Sequence, residues 1–228
     1  FFKSTTFWNH LIALFIAIVI LHLPSLHYGF VLDDHLGVEQ NQNILSFDTV
    51  FSSPISVSRT LLLTTSYSLG QLDPAYYRIM NIAFHLCTVM GIYILVALMS
   101  GAGVAAFFAA LIYAVHHILI ESVVWISSLT YPQYSFFAIF ALIFYILMSG
   151  NKNRLIYTVL FLLSFILSLL SSEKALVLPL ILLMYEWLFG SLKKNWKPLL
   201  FVFIVILIFS AIMFPFVKDR IAIFGATA

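Results

Sequence analysis

Charge is what this sequence has least of. Asp, Glu, Lys and Arg make up 9% of its 228 residues, where a soluble domain carries about 25%. The scarcity excludes a soluble globule: a 63% hydrophobic chain cannot hide its apolar surface in one core, so lipid must solvate most of it. A net charge of +2 is too small to suggest nucleic acid as a partner. Cysteine is nearly absent. Cys87 stands alone in an apolar run, so no disulfide framework can form, and the thiol reads as a small buried hydrophobe. The phosphate-loop, dinucleotide and H-E-x-x-H signatures are missing, as is any N-x-S/T acceptor, which removes the common nucleotide and zinc-hydrolase chemistries. No internal repeat or low-complexity tract is visible.

What is present is apolar sequence in membrane-length runs. A helix needs about 20 apolar residues to cross the hydrocarbon core. Seven runs qualify as spans: 7–26, 78–99, 103–126, 132–149, 154–171, 174–190 and 198–217. The first is followed by LHLPSLHYG, which lacks a small-x-small cleavage site, so it reads as a retained helix and not a signal peptide. The chain begins at Phe1 and not Met, and reads as a segment or processed form of a longer chain. The expectation is an all-α integral membrane protein. Its one long loop, residues 27–77, should carry short interfacial helices.

The connectors alternate in charge. Lys3, Lys152, Arg154, Lys193, Lys194 and Lys197 share one side with a single acid, Glu186. Asp33, Asp34, Glu39, Asp48, Asp73, Glu121, Glu173 and Asp219 share the other. Basic short loops stay in the cytoplasm. The N-terminus is therefore expected inside, the long loop and the C-terminus outside.

Ionisable residues beside membrane spans are expensive and tend to be functional. Here several segments deliver them to the same leaflet: Asp33, Asp34 and His35 after the first span, Arg78, Asn81 and His85 on the second, His116, His117 and Glu121 on the third, Lys174 at the sixth. His117 and Glu121, four apart, share a helical face. The inner halves look almost free of polar groups outside the basic loops, which argues against a proton relay. His22 reads as an ordinary interface residue, and Trp125, Tyr131, Tyr134 and Trp187 as an aromatic belt. Adjacent carboxylates with a histidine, Asp33, Asp34 and His35, could hold a divalent metal such as Mg²⁺ or Mn²⁺. They could equally take a proton from an acceptor hydroxyl. Arg and Lys at headgroup depth suit phosphate. Together these fit group transfer from a phospholipid-linked donor.

FVLDDHLGVEQNQNI, residues 30–44, resembles the first-loop motif of the GT-C membrane glycosyltransferases, closest to the protein O-mannosyltransferase-like group that includes the transmembrane and tetratricopeptide-repeat proteins. SRTLLLTTSYSLGQLDPAYYRIMNIAFH, HHILIESVVWISSL and LLSSEKALVLPLILLMYEW resemble three further stretches of that group, in the same order. The likeness covers most of residues 25–190. It implies a seven-helix module, a polyprenyl-phosphate-linked sugar as donor and a protein or glycan as acceptor. It also implies an acidic catalytic residue in the first outer loop, Asp33 ahead of Asp34. Arg59, Arg78, His85 and Lys174 become the candidates for the donor phosphate, supported by His116, His117 and Glu121. The implied setting is a prokaryotic plasma membrane. Some positions depart from the family pattern: Thr60 and His117 stand where Pro is usual, SSLTYPQ replaces a Gly-Arg-Ser-Asp stretch, and SSEK reverses a Lys-Glu pair. These departures motivate a second reading, a non-catalytic membrane subunit that keeps the fold and binds other subunits. Haem or quinone binding through His85 with His116 or His117 is a third.

Overall fold

The computed structural model describes residues 5–51, 57–150, 153–189 and 192–225, and among these every regular element is helical. The chain is an all-α integral membrane protein. In order come α1 (Thr5–His22), α2 (Val57–Gly70), α3 (Pro74–Ser100), α4 (Gly103–Val115), α5 (His117–Val124), α6 (Thr130–Gly150), α7 (Arg154–Ser171), α8 (Leu178–Phe189) and α9 (Leu192–Gly225).

Local chemistry sets the ends. Asp73 caps α3 by accepting from the Ala75 N–H at 2.9 Å, with Pro74 in the first turn, where its missing donor costs nothing. Gly101, at φ 68°, closes the other end in the left-handed conformation that glycine adopts freely. Between α4 and α5 the backbone at His116 turns extended, and the His116 Nδ1 accepts from the Ile118 N–H at 3.4 Å. The axis bends there by 59°.

Among the described residues five helical stretches are long and apolar enough to cross a bilayer: Thr5–His27, Pro74–Ser100, Ile126–Gly150, Arg154–Ser171 and Asn195–Ile212. The bent α4–α5 pair makes a sixth if it counts as one broken span. The run expected as a span over 174–190 is instead a 3₁₀ turn, Glu173–Val177, followed by the 12 residues of α8. At 1.5 Å per residue, α8 reaches about 18 Å, against a core of about 30 Å.

Two apolar cores lie within the bundle. One joins α1, α3 and α4 around Leu14, Ile18, Val89, Tyr93 and Ala110. The other joins α6 to α9 around Tyr145, Phe161, Phe165, Leu182 and Val202. Small residues let helices close up: a Cβ added to Gly91 on α3 would meet the Ile139 Cγ2 of α6 at 2.8 Å. Cys87 is exposed on the outside of α3 and not buried as expected, because in lipid an apolar thiol gains nothing by facing inward.

The long loop folds onto the end of the bundle. Val38 and Ile44, both fully buried, pack with Leu63 of α2, Tyr77 of α3, and Ile126 and Leu129. Short turns, His35–Glu39, Gln42–Ile44 and Phe47–Thr49, carry the chain between these anchors.

The opposite end corrects an expectation. It is not free of buried polar groups. Glu186 of α8, 4% exposed, accepts from the Tyr145 hydroxyl of α6 at 2.6 Å and from the Asn195 Nδ2 of α9 at 2.7 Å. Asn195 also bonds the Ser149 hydroxyl and accepts from Arg154 of α7 at 3.1 Å. The acid that looked like a stray on the basic side sits in a network that joins four helices.

Candidate active site at the long-loop end

Chain direction brings the ends of α1, α4 and α7, the starts of α3 and α6, and α5 with the Glu173–Val177 turn to one end of the bundle. The turn before the first π-helical residues separates the two aspartates. Leu32 sits at φ 49°, an uncommon conformation for a branched side chain. Beyond it, Asp33 is exposed and Asp34 is fully buried. Asp34 accepts from the Val31 N–H at 3.2 Å and from the Ser127 N–H at 2.8 Å, one bond per carboxylate oxygen.

Arg59 of α2 holds the same residue from the other side, donating Nη1–H to the Ser127 carbonyl at 2.9 Å. Burial pushes the Arg59 guanidinium below its ordinary pKa, and the Asp34 and Asp33 carboxylates pull it back up. Ser127 is thus bracketed, its N–H donating to a carboxylate and its carbonyl accepting from a guanidinium.

Arg78, 1% exposed, does not present itself to a ligand. Its Nε–H donates to the Val124 carbonyl at 3.0 Å, and its two other nitrogens donate to the carbonyls of Tyr28 and Gly29. Asn81 donates to the carbonyls of Val123 and Trp125 at 3.2 and 3.3 Å. The resemblance places Arg78, though not Asn81, near the donor phosphate. In the fold both tie down irregular backbone, whose carbonyls need donors from the protein.

Two clefts open beside this frame. The larger, about 430 Å³, is lined by Asp33, Gly37, Arg59, Trp125, Ser127 and Tyr131. The Trp125 indole N–H and the Ser127 hydroxyl, both buried in its wall, have no protein partner, an uncommon state for buried polar atoms. The smaller, about 200 Å³, is lined by His85, Tyr113, Tyr131, Tyr134, Ser135 and Lys174. Tyr131 belongs to both. The Lys174 ammonium stands over its ring, 3.8 Å from the centroid. His85 is buried, its Nε2 3.3 Å from the Ala114 carbonyl and its ring against His22 and Tyr113.

The structure therefore brings Asp33 and Arg59 together in one cleft, and His85 and Lys174 in the next. His116 and His117 stack on each other in the open, and they and Glu121 line neither cleft. His85 pairs with His22, so the histidine couple expected of a haem site does not form with His116 or His117. A metal at Asp33, Asp34 and His35 does not fit the donor set. Both Asp34 oxygens are engaged by backbone N–H groups, and His35 is turned to Glu39 at 2.7 Å. Among the described residues no three metal-ligating side chains converge. Trp125, Ser127 and Tyr131 had gone unrecognised as site residues. Their one signal was position, directly after the HHILIESVV helix whose end faces the loop.

No family model, curated protein or solved structure matches this chain.

Proposed function

We propose that the chain is a GT-C-type glycosyltransferase module, moving a sugar from a polyprenyl-phosphate donor to a protein or glycan hydroxyl at the extracytoplasmic face. The observation that carries the reading is the pair of adjoining clefts, one walled by the Asp33 carboxylate and the Arg59 guanidinium, the other by His85 and Lys174. Asp33 is the base. It accepts the proton of the acceptor hydroxyl as that oxygen bonds to the anomeric carbon and the bond from that carbon to the phosphate oxygen breaks. The prenyl phosphate leaves with the bonding electrons. Arg59 and Lys174 are the cations in reach of its charge. Asp34 is a positioning residue: it orients the Ser127 turn without touching substrate. Arg78 leaves the phosphate set.

The test uses the chain in proteoliposomes with polyprenyl-phosphate hexoses and peptide or glycan acceptors. Asp33→Asn should lower transfer by about 10²- to 10⁴-fold, with unfolding in detergent within about 0.5 kcal/mol of the parent. Full transfer by the folded variant would refute the role.

A further inference from the structure

We propose that Tyr131 is a gate between the two clefts, latched by Lys174, and that a phosphate captured by Lys174 opens it. The inference rests on the phosphate-donor reading above and adds an order of events to it.

Tyr131 is the only residue common to the linings of the larger and smaller clefts. On this proposal its ring is the partition. The backbone beneath it is anchored, because α6 begins at Thr130, just after the Ser127 peptide that Asp34 and Arg59 hold. Any movement at this point therefore falls to the side chain. What holds the ring is Lys174, whose ammonium lies 3.8 Å from the centroid. Among the described residues no carboxylate pairs with Lys174; the Glu39 carboxylate at this end meets His35.

A cation over an exposed ring is weakly held. A phosphate oxygen offers a charge-assisted hydrogen bond, a stronger partner. An anion entering the smaller cleft therefore takes Lys174 from the ring. The cleft can hold that anion: the Tyr134 and Ser135 side chains line it beside His85 and Lys174. With its latch withdrawn, Tyr131 can rotate and join about 200 Å³ to about 430 Å³. The joined space would run from the phosphate end to Asp33. Donor capture would thus precede the joining of the phosphate end to Asp33, and a hydroxyl held at Asp33 would not face a donor while the gate is closed.

The reporter is already in place. Trp125 lines the larger cleft alone. The other tryptophans within the described residues, Trp8, Trp187 and Trp196, are exposed at 57%, 79% and 53%, so replacing them with Phe leaves a single-tryptophan protein. This protein, in nanodiscs, is titrated with inorganic phosphate and separately with a short-chain prenyl phosphate. Binding is followed by ³¹P NMR and gating by Trp125 emission. Saturable change in Trp125 is expected. Lys174→Met should raise the half-saturating concentration at least tenfold, and Lys174→Arg should restore it. Tyr131→Leu should still bind phosphate but leave Trp125 silent. A response to prenyl phosphate alone supports a lipid-linked anion, and a response to both supports phosphate in general. Phosphate binding with no Trp125 response in the parent overturns the gate. Binding of neither compound overturns the subsite. No transfer is required for any of these readouts. The gate is therefore judged independently of Asp33→Asn, and the transferase reading survives a silent Trp125.

Discussion

The two ends of the bundle each bury a polar network, and the networks are built differently. At the long-loop end Asp34, Arg59, Arg78 and Asn81 direct their bonds to backbone, the peptides of residues 28–31 and 123–127. At the other end Glu186, Tyr145, Asn195, Ser149 and Arg154 bond one another side chain to side chain across α6, α7, α8 and α9. The first kind fixes irregular chain, which membranes tolerate only where protein or a cavity satisfies it. The second kind fastens helices. A further difference follows. Buried polar atoms left without a partner occur beside the first network, at Asn81, Trp125 and Ser127, and none occurs among the residues of the second. Unpartnered groups beside a cleft are what a binding site needs and what a fastening does not.

The largest effect that would break the comparison is expected at Arg78. Arg78→Met removes the donors from the carbonyls of Tyr28, Gly29 and Val124 and strips a buried guanidinium from the field of Asp34. The cost should be about 3–5 kcal/mol, enough to prevent folding in mild detergent, read by near-ultraviolet circular dichroism. Arg78→Lys should fare little better, because one ammonium cannot span carbonyls from two separate turns. If Arg78→Met folded normally and lost only phosphate affinity, Arg78 would belong to the cleft and not to its frame.

Asp34→Asn comes next. An amide keeps one acceptor oxygen but turns an NH₂ toward either the Val31 or the Ser127 N–H. A loss of about 1–3 kcal/mol in stability is expected, accompanied by reduced transfer because the Ser127 turn shifts. Asp33→Asn, one residue away, should do the reverse: stability kept and transfer lost. Identical profiles for the two variants would show that burial does not divide their roles.

Tyr145→Phe probes the other end. It deletes the hydroxyl that donates to the Glu186 carboxylate at 2.6 Å and leaves Asn195 in place. Stability should fall by about 1.5–3 kcal/mol, the range for a bond to a charged group, with transfer per folded molecule unchanged. A loss of transfer in the folded variant would mean that the fastening end communicates with the clefts.

The physical reason some of this was legible in the sequence is lipid itself. It demands unbroken apolar runs, so α1, α3, α6 and α7 stand out, and antiparallel order alone sends Asp33, Arg59, His85 and Lys174 to one end. Hydrogen-bond partners are another matter. Asp33 and Asp34 are adjacent and chemically identical; only the turn at Leu32 and the distant Ser127 N–H decide which is buried. Arg78 near headgroup depth looks like a phosphate ligand until three carbonyls from two other segments claim it. The Glu186 network joins four helices through contacts between 9 and 46 residues apart, beyond any local pattern. The bend at His116 has no Pro or Gly to announce it, and α8 is shortened by a Ser172 cap that starts a 3₁₀ turn where a helix was expected.

The smallest structural effect is expected at Gly37, and it sharpens the comparison most finely. A Cβ there would stand 2.8 Å from the Arg59 Nη2 and 3.5 Å from the Ser127 hydroxyl oxygen. The backbone at Gly37 does not need a left-handed conformation, so alanine brings no strain of its own. Its near neighbour is the tip of a flexible side chain, which can give by a few tenths of an ångström. Gly37→Ala should therefore change stability by less than about 1 kcal/mol. Yet the tip that moves is the one that lines the larger cleft and holds the Ser127 carbonyl. If that cleft is the reacting site, a shift of this size at a positioning cation should lower transfer by about tenfold or more. Glycine would then be needed at this position for the placement of Arg59, and an alanine variant with both full stability and full transfer would remove Arg59 from the chemistry and leave it as frame, like Arg78.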